Sequence, residues 1–378
     1  MNQHENNTFY PIHQRKKMKF KTILLGLSLG LALTVIGCGE DKTSNEKTAA
    51  PAAAQIEILG AGATFPYPLY SEMFTAYVKE TGVKVNYQAI GSGGGQRQIK
   101  NKTVDFGGSD AFVSDKKLAK FEAPLVHIPM ALGAVSITYN IDGSPQLKLS
   151  PALIKDIFLG NIKKWNHERI VKNNPGVSLP DQQITVVRRS DGSGTTAIFT
   201  DYLAKVSPEW AKKVGKGKSV KWPVGLGAKG NDGVTNVVKK TTGAIAYVEL
   251  AYAIKNNLPV AAVKNVAGNF VKPDIQGTSL AGEGEIPADT RVSLTNTAAE
   301  FGYPIAGFTW ILLYQEQKYS KRTKEQSKAL IELIWWMSHA GQKYAEPLHY
   351  APIPAKAKLA GEAILKSITF GGQPLMSK

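Results

Sequence analysis

Four short segments of the sequence combine glycine with hydroxyl-bearing or charged residues where a strand-like pattern gives way to a helix-like pattern. They are residues 60–65 (GAGATF), 91–95 (GSGGG), 107–110 (GGSD) and 188–195 (RRSDGSGT). The first N–H groups of a helix lack intrahelical acceptors and carry partial positive charge, and glycine lets a ligand approach the backbone closely. The segments therefore predict a set of backbone amides that binds a small tetrahedral anion without a metal.

Side chains in the same segments extend this set of donors. Hydroxyl groups come from Thr64, Ser92, Ser193 and Thr195. Arg189 adds a planar guanidinium that suits bidentate contact with an oxyanion. Taken singly, each segment is also typical of an ordinary turn or helix cap, and Ser193 or Asp110 could serve as a cap. Four such segments in one chain, two with an aspartate and one with an arginine, favour a binding site.

Two carboxylates, Asp110 and Asp191, lie among groups that otherwise attract anions. They would repel a ligand without protons, but phosphate keeps at least one proton near neutral pH and can donate it to a carboxylate. Sulfate has no such proton, so its oxygen would face the carboxylate unpaired. The sequence therefore predicts selection of a protonated anion through repulsion of unprotonated ones. Capture of another tetrahedral oxyanion, such as sulfate or molybdate, is the alternative that Asp110 would discriminate against.

Motifs of enzymes and metal sites are weak or absent in the sequence. Gly225, Gly227 and Gly230 satisfy GxGxxG, but the preceding run is short and contains Pro223, so we interpret this segment as a loop. The sequence has neither a P-loop nor a GxSxG nucleophile elbow, and its histidines are dispersed. We therefore predict no catalytic residue, no cofactor and no metal, and a phosphate-handling enzyme is the less favoured alternative.

The start of the chain has the layout of an export signal. A basic start at residues 18–21, with Lys19 and Lys21, precedes an apolar run at 23–36 that is too short to span a bilayer comfortably. The polar stretch ahead of residue 18 is unusual for a signal peptide, so translation could begin at Met1 or Met18. We expect residues 1–37 to be a signal peptide.

The single cysteine, Cys38, follows this apolar run directly. That position predicts lipidation of Cys38, and a buried structural cysteine is the alternative. Residues 38–54 are rich in Lys, Glu, Thr, Ala and Pro without an apolar period, which predicts a flexible tether. We expect a protein in the periplasm or on the outer face of the cell membrane, attached by a lipid anchor at Cys38.

The formal net charge of +16 at pH 7 could indicate nucleic acid, an acidic membrane or small anions as partners. The lysines are scattered, with one loose cluster at Lys212, Lys213, Lys216, Lys218 and Lys221. Aromatic residues do not alternate with them, and no nucleic-acid-binding motif is present. We predict a solvated basic face and no nucleic-acid partner.

The length of 378 residues and the apolar content of 43% allow about two domains of ordinary size. Strand-like runs alternate with helical stretches from residue 55 onward, with helices expected over residues 70–81, 96–101 and 196–206. This alternation predicts an α/β fold. Two long apolar runs, residues 134–140 and 305–314, are interpreted as crossings between two lobes. We expect a first lobe of residues 55–132 plus 306–378 and a second lobe of residues 133–305.

Six stretches together identify a resemblance to a known family. They read GAGATFPYP, VNYQAIGSGGGQRQI, VDFGGSDA, IFLGNIKKW, ITVVRRSDGSGTTAIFTDYLAKV and VKWPVGLGAKGNDGV. The sequence from Ile56 onward resembles the periplasmic phosphate-binding proteins of Pst ABC transporters. The resemblance implies the class II periplasmic-binding-protein fold, in which two α/β lobes are joined by a two-strand hinge. It further implies inorganic phosphate as ligand, membrane-embedded permease subunits as partners, and a monomer.

The same resemblance assigns binding roles to residues at matching positions. The phosphate-binding set that it implies is Ala63, Thr64, Phe65, Ser92, Asp110, Arg189, Asp191, Ser193, Gly194 and Thr195. In this family, Phe65 would contribute its backbone amide, Asp110 would accept the ligand's proton, and Asp191 would hold the arginine. The sequence departs from some relatives at Gly93 and Tyr67, and neither change removes an expected donor.

Overall fold

The structure is a computed structural model, and it describes residues 56–376. The predicted signal peptide, the predicted lipidation site Cys38 and the predicted tether all lie outside the described residues. Within the described range, no helix is both long enough and apolar enough to cross a bilayer.

Strands and helices alternate along most of the chain. The strands are β1 Glu57–Gly62, β2 Lys84–Ala89, β3 Phe106–Ser109, β4 Leu125–Asn140, β5 Lys148–Leu149, β6 Thr185–Arg189, β7 Leu226–Ala228, β8 Ala244–Glu249, β9 Ala262–Lys264, β10 Phe270–Val271, β11 Ala306–Tyr314, β12 Thr369–Phe370 and β13 Gln373–Pro374. The helices are α1 Tyr67–Thr81, α2 Ser92–Lys100, α3 Asp115–Leu118, α4 Pro151–Leu159, α5 Glu168–Asn173, α6 Gly194–Val206, α7 Pro208–Lys213, α8 Gly230–Lys240, α9 Leu250–Lys255, α10 Ile275–Ala281, α11 Lys324–Ser338 and α12 Ala355–Lys366.

The principal sheet has eight strands in the order β2-β1-β3-β11-β4-β8-β6-β7. Strands β1, β2 and β3 are mutually parallel, and so are β6, β7 and β8. Strands β4 and β11 run antiparallel to their neighbours in the middle of the sheet. We call the part with β1–β3 and β11 the first lobe and the part with β6–β8 the second lobe. This two-lobed arrangement of parallel βα units confirms the predicted α/β fold class.

Strand β4 connects the two lobes without a break. Its residues 125–134 pair with β11, and its residues 135–140 pair with β8. The chain returns to the first lobe beside this point, because the carbonyl of Ile305 accepts a hydrogen bond from the Val135 N–H at 2.8 Å. Two adjacent backbone segments therefore pass between the lobes.

Each lobe has an aromatic cluster of its own. In the first lobe the rings are those of Tyr70, Phe74, Tyr87 and Phe106. In the second lobe they are those of Phe158, Phe199, Trp222 and Tyr247. The closest pair is Phe199 and Tyr247, which stack with ring centroids 4.4 Å apart. Both ring clusters belong to one contiguous hydrophobic core, which also includes Ile128 and Val135 of β4.

The predicted helices exist but begin earlier than expected. Helix α2 starts at Ser92, and α6 starts at Gly194, so glycine and hydroxyl residues occupy the first turns. The interpretation of Gly225 to Gly230 as a loop was wrong. Residues 226–228 form the edge strand β7, and Gly230 begins α8. The strand is only three residues long, too short for a period-2 pattern to reveal it.

Candidate anion-binding site

The four segments that sequence patterns singled out lie at the ends of parallel strands. Thr64 follows β1, Ser92 begins α2 after β2, and Asp110 follows β3 in the first lobe. In the second lobe, Ser193 precedes α6 after β6. The carboxyl ends of parallel strands meet at one edge of a sheet, and ligands of open α/β proteins bind outside that edge.

The first-lobe residues form a hydrogen-bonded pair at this edge. The Asp110 N–H donates to Ser92 Oγ at 3.1 Å, and Ser92 Oγ donates to Asp110 Oδ2 at 3.3 Å. Gly194, the first residue of α6, lies against this pair, because a Cβ at position 194 would overlap both the Asp110 carboxylate and the Ser92 hydroxyl. Only glycine therefore lets the start of α6 approach the first lobe this closely.

Asn231 provides a second link between the lobes. Its backbone N–H donates to Thr64 Oγ1 at 3.2 Å and its side-chain Nδ2 donates to the same oxygen at 3.0 Å. Nδ2 also lies 3.2 Å from Thr195 Oγ1. Sequence analysis missed Asn231 because its segment was interpreted as a loop. Recognition of a helix start at Gly230 would have placed Asn231 in the same class as the other four segments.

Several donors at the site have no acceptor among residues 56–376. Ser193 Oγ accepts from the Thr196 N–H at 3.0 Å, so Ser193 is a helix cap whose hydroxyl hydrogen is still available. The N–H groups of Gly194 and Thr195 are the first two of α6 and have no intrahelical partner. Ala63 differs, because its N–H donates to the Gly108 carbonyl at 3.0 Å within the first lobe.

Two tyrosines fix the turn that contains Thr64 and Phe65. The hydroxyl of Tyr252 donates to the Thr64 carbonyl at 2.6 Å, and the hydroxyl of Tyr350 donates to the Phe65 carbonyl at 2.6 Å. The Thr64 carbonyl and the Phe65 N–H belong to one planar trans peptide and point in opposite directions. Tyr252 therefore fixes the direction of the Phe65 N–H, which donates to no described residue.

Glu249 lies beneath this turn and is fully buried. Burial raises the pKa of Glu249 well above its usual value, so the protonated form is favoured. Glu249 Oε2 is 2.9 Å from the Tyr350 hydroxyl, which has only one hydrogen and donates it to Phe65. A protonated Glu249 can supply the hydrogen for its own contact with Tyr350. Neither Glu249 nor the two tyrosines could be found from short motifs, because they are distant in sequence from the segments they support.

The guanidinium of Arg189 is held by Asp191. Arg189 Nε and Nη2 donate to the two Asp191 oxygens at 2.7 and 2.5 Å, and the Arg189 side chain is only 1% exposed. Burial would raise the pKa of Asp191, but hydrogen bonds from Arg189 and its positive charge outweigh burial, and the pKa is lowered. The remaining nitrogen, Nη1, is 3.4 Å from Thr195 Oγ1 and faces the site.

Asp110 is the carboxylate at the centre of the site. Its side chain accepts hydrogen bonds from Ser92 and from Thr309 Oγ1, the latter at 2.9 Å. Burial raises the pKa of Asp110 to about 7, and the bonds from Thr309 and Ser92 and the charge of Arg189 offset this only in part. Asp110 can therefore change its protonation state near neutral pH.

The structure thus brings together residues from every predicted segment. Around Asp110 lie a guanidinium, hydroxyl groups and helix-start amides contributed by both lobes. This combination is suited to a small oxyanion that carries a proton. No three His, Cys, Asp or Glu side chains of the described range lie close enough together to hold a metal ion.

The fold and this site define a two-lobed solute-binding protein. Residues 46–338 match the family model described as a PBP superfamily domain. The chain is 42% identical over 346 residues to the phosphate-binding protein PstS of Xylella fastidiosa (strain Temecula1), which covers 87% of this chain and 93% of that protein. Identity to the phosphate-binding protein PstS of Haemophilus influenzae is 45% over 310 residues, covering 81% of this chain and 91% of that protein.

A solved structure shows the same fold. The phosphate-binding protein from Stenotrophomonas maltophilia superimposes with a TM-score of 0.63 at 20% identity, covering 82% of this chain and 94% of that chain. The family match and the sequence identities mean that the chain belongs to the PstS family of the PBP superfamily.

The raised pKa of Asp110 makes the stability of the protein depend on pH. The folded state binds the Asp110 proton more tightly than the unfolded state, so this contribution is fully present below about pH 4 and is lost as the pH rises towards 7. Asp110→Asn has no such proton to lose. As the pH rises from about 4 to about 8, we expect its free energy of unfolding to increase relative to that of the wild type by roughly 2 to 4 kcal/mol. Urea unfolding of phosphate-free protein measures this difference.

The exposed Asp142 offers a matched control. Asp142→Asn should unfold in parallel with the wild type across the same pH range. The Asp110→Asn substitution also replaces one of the two oxygens that accept from Thr309 and Ser92 by an NH2 group, but none of these groups titrates between about pH 4 and pH 8. A stability difference for Asp110→Asn that stays constant with pH would show that Asp110 is already ionised in the folded protein.

Proposed function

We propose that this protein binds one inorganic phosphate ion between its lobes and delivers it to the permease of an ABC transporter. The PstS relatives are named as phosphate-binding proteins, which supports this proposal, and so does the chemistry of the site. In our assignment the ligand contacts are the Phe65, Gly194 and Thr195 amides, the hydroxyls of Thr64, Ser92, Ser193 and Thr195, and the Arg189 guanidinium. Asp110 accepts a proton from the ligand, and Asp191 acts through Arg189.

The single observation that carries the proposal is the burial of Asp110 among anion donors. A fully ionised oxyanion would meet this carboxylate without a shared proton, and the repulsion would act at short range in a dry site. Hydrogen phosphate has a proton to share. This feature favours phosphate over sulfate and molybdate, which are the alternative ligands.

The number of donors is sufficient for tight binding. A hydrogen bond to a charged group contributes on the order of 1.5 to 3 kcal/mol, and micromolar affinity needs about 8 kcal/mol. Several such bonds therefore account for micromolar or tighter binding after the cost of ordering the lobes. We assign no catalytic role to the site, because the PstS relatives are named as phosphate-binding proteins.

We further propose how the protein is placed and how it moves. Residues 1–37 act as the export signal, and Cys38 is lipidated, so that residues 38–54 tether the binding unit to the membrane. A first lobe of about residues 55–132 plus 306–378 and a second lobe of about residues 133–305 move as units. The hinge is the pair of segments around Val135 and Ile305, and the monomer with its lobes closed is the form that the permease recognises.

The proposal is tested by measuring ligand that purified protein retains. After exhaustive dialysis in phosphate-free buffer, denaturation should release about one phosphate per chain, or the dialysed protein should take up one equivalent again in calorimetry. Tight binding is expected because many donors act at once. Protein that neither releases nor takes up phosphate would contradict the proposed function.

Selectivity for phosphate should depend on Asp110. In Asp110→Asn the repulsion of sulfate is lost, so we expect sulfate to compete with phosphate at least tenfold more effectively, a change of about 1.4 kcal/mol. Competition calorimetry at about pH 8 measures the two affinities. Arg189→Ala is the comparison, because it removes a donor that serves both anions and should weaken both. Unchanged selectivity in Asp110→Asn would show that the carboxylate is not the filter.

Closure of the lobes should be visible in solution. Small-angle scattering of phosphate-free protein should give a smaller radius of gyration after addition of one equivalent of phosphate. The reason is that the ligand draws donors of both lobes to the same point. Identical scattering with and without phosphate would remove the closure part of the proposal and leave the binding part intact.

A further inference from the structure

Another cavity lies between the lobes. A contact between Gly93 and Gly192 separates it from the site just described. Its volume is about 270 Å³, and its wall includes Gly93 and Gly192. The N–H of Gly93 donates to the Gly192 carbonyl at 2.7 Å, so the two lobes touch at this wall. The adjacent residues Ser92 and Ser193 belong to the first site. The cavity is therefore a neighbour of that site and not a part of it.

Five positively charged side chains line this cavity, and no carboxylate does. They are Arg97, Lys100, Lys117, Lys120 and Lys218. None of the five forms an ion pair with any carboxylate within residues 56–376. The nearby Glu122 is already paired with Lys102. We call these five residues the basic pocket. Among the residues that the structure describes, no ion pair compensates its positive charge.

The charges of the basic pocket come from both lobes. Arg97 and Lys100 lie on α2, and Lys117 and Lys120 lie on or just after α3, all between β2 and β4 of the first lobe. Lys218 lies between α7 and β7 of the second lobe. Contact between the lobes therefore brings Lys218 towards four like charges, and this repulsion opposes closure.

Lys218 is the least solvated member of the pocket. Burial, together with the positive charges of Lys117 and Arg97, lowers the pKa of Lys218 to about 7. Its side chain is hydrogen-bonded to Gln96 Oε1. The Gln96 amide is fixed, because Nε2 donates to Ser109 Oγ at 3.0 Å and to the Ala111 carbonyl at 2.7 Å. A neutral amide oxygen compensates the Lys218 charge only in part.

We propose that the basic pocket is a second anion site, which takes a small multiply charged oxyanion and thereby stabilises contact between the lobes. A tetrahedral oxyanion fits with its first waters, because a water's share of liquid volume is about 30 Å³. The pocket has no counterpart of Asp110, so it does not distinguish sulfate from hydrogen phosphate. The anion favours the protonated form of Lys218 and bridges it to the first-lobe charges, so that attraction replaces repulsion between the lobes.

The coupling to phosphate affinity rests on the proposed function, but occupation of the pocket does not. Sulfate is the probe, because the first site repels it and the basic pocket does not. Protein loaded with one equivalent of phosphate and freed of excess is dialysed against radiolabelled sulfate at about pH 7.5 and constant ionic strength. We expect about one sulfate per chain in the wild type, with an affinity at least tenfold weaker in Lys117→Gln/Lys120→Gln.

Lys239→Gln/Lys240→Gln is the matched control, because it removes the same charge from exposed positions at the end of α8. The control should bind sulfate as the wild type does. If the wild type does not bind sulfate, the proposal is overturned. Equal sulfate binding in all three proteins would also overturn it, because such binding would not depend on the basic pocket. Both exposed pairs leave the phosphate site untouched, so misfolding is checked by phosphate uptake in chloride.

A second measurement tests the stabilisation of lobe contact. Replacing chloride by sulfate at equal ionic strength should tighten phosphate binding severalfold in the wild type and in the Lys239/Lys240 control, but not in Lys117→Gln/Lys120→Gln. An equal effect in all three proteins, or weaker phosphate binding in sulfate, would contradict the coupling. If the wild type binds no phosphate in either chloride or sulfate, the proposed function is contradicted. Dialysis against radiolabelled sulfate would still decide whether the basic pocket binds an anion.

Discussion

The site depends on one constraint: the carboxylate of Asp110 is buried among hydrogen-bond donors that are arranged to bind an anion. Asp110 is enclosed by Ser92, Thr309 and the start of α6, and burial brings its pKa to about 7. A site built only for charge attraction would contain no carboxylate. The protein tolerates Asp110 because a ligand that carries its own proton turns the repulsion into a hydrogen bond. Recognition thus depends on a proton rather than on size or net charge.

Selection by Asp110 works only if the surrounding hydrogen-bond donors cannot reorient to bind a different anion. The supports found here are long-range: Tyr252 and Tyr350 hold the two carbonyls of the Thr64 turn, and Glu249 holds Tyr350. On the other side, Asp191 fixes the plane of the Arg189 guanidinium. With the lobes in contact, the donors are therefore held in fixed directions, and little binding energy is lost in ordering their side chains.

The residues that contact the ligand site through local motifs were predictable from the sequence. The residues that support them from distant parts of the chain were not. Helix starts with glycine and hydroxyl residues are local signals, and they led to Thr64, Ser92, Asp110 and Ser193, which the structure places at one point. Asn231 was missed because a three-residue edge strand leaves no pattern ahead of it. The supporting tyrosines and Glu249 carry no local signal either, since their partners lie more than a hundred residues away in the chain. Contacts of that kind are set by topology.

Recognition and lobe contact are one event in this architecture, because the contacts between lobes at the cleft involve the recognition segments themselves. Thr64 meets Asn231, the Ser92–Asp110 pair meets Gly194, and Gly93 meets Gly192. These polar contacts bury little apolar surface, so they supply little of the free energy of closure on their own. A ligand shifts such an equilibrium only by its differential affinity for the two states. An anion that binds both lobes has that differential affinity, whereas one that is repelled by Asp110 gains nothing from closure. The buried carboxylate therefore selects the ligand and, through the same repulsion, keeps the lobes from closing on the wrong one.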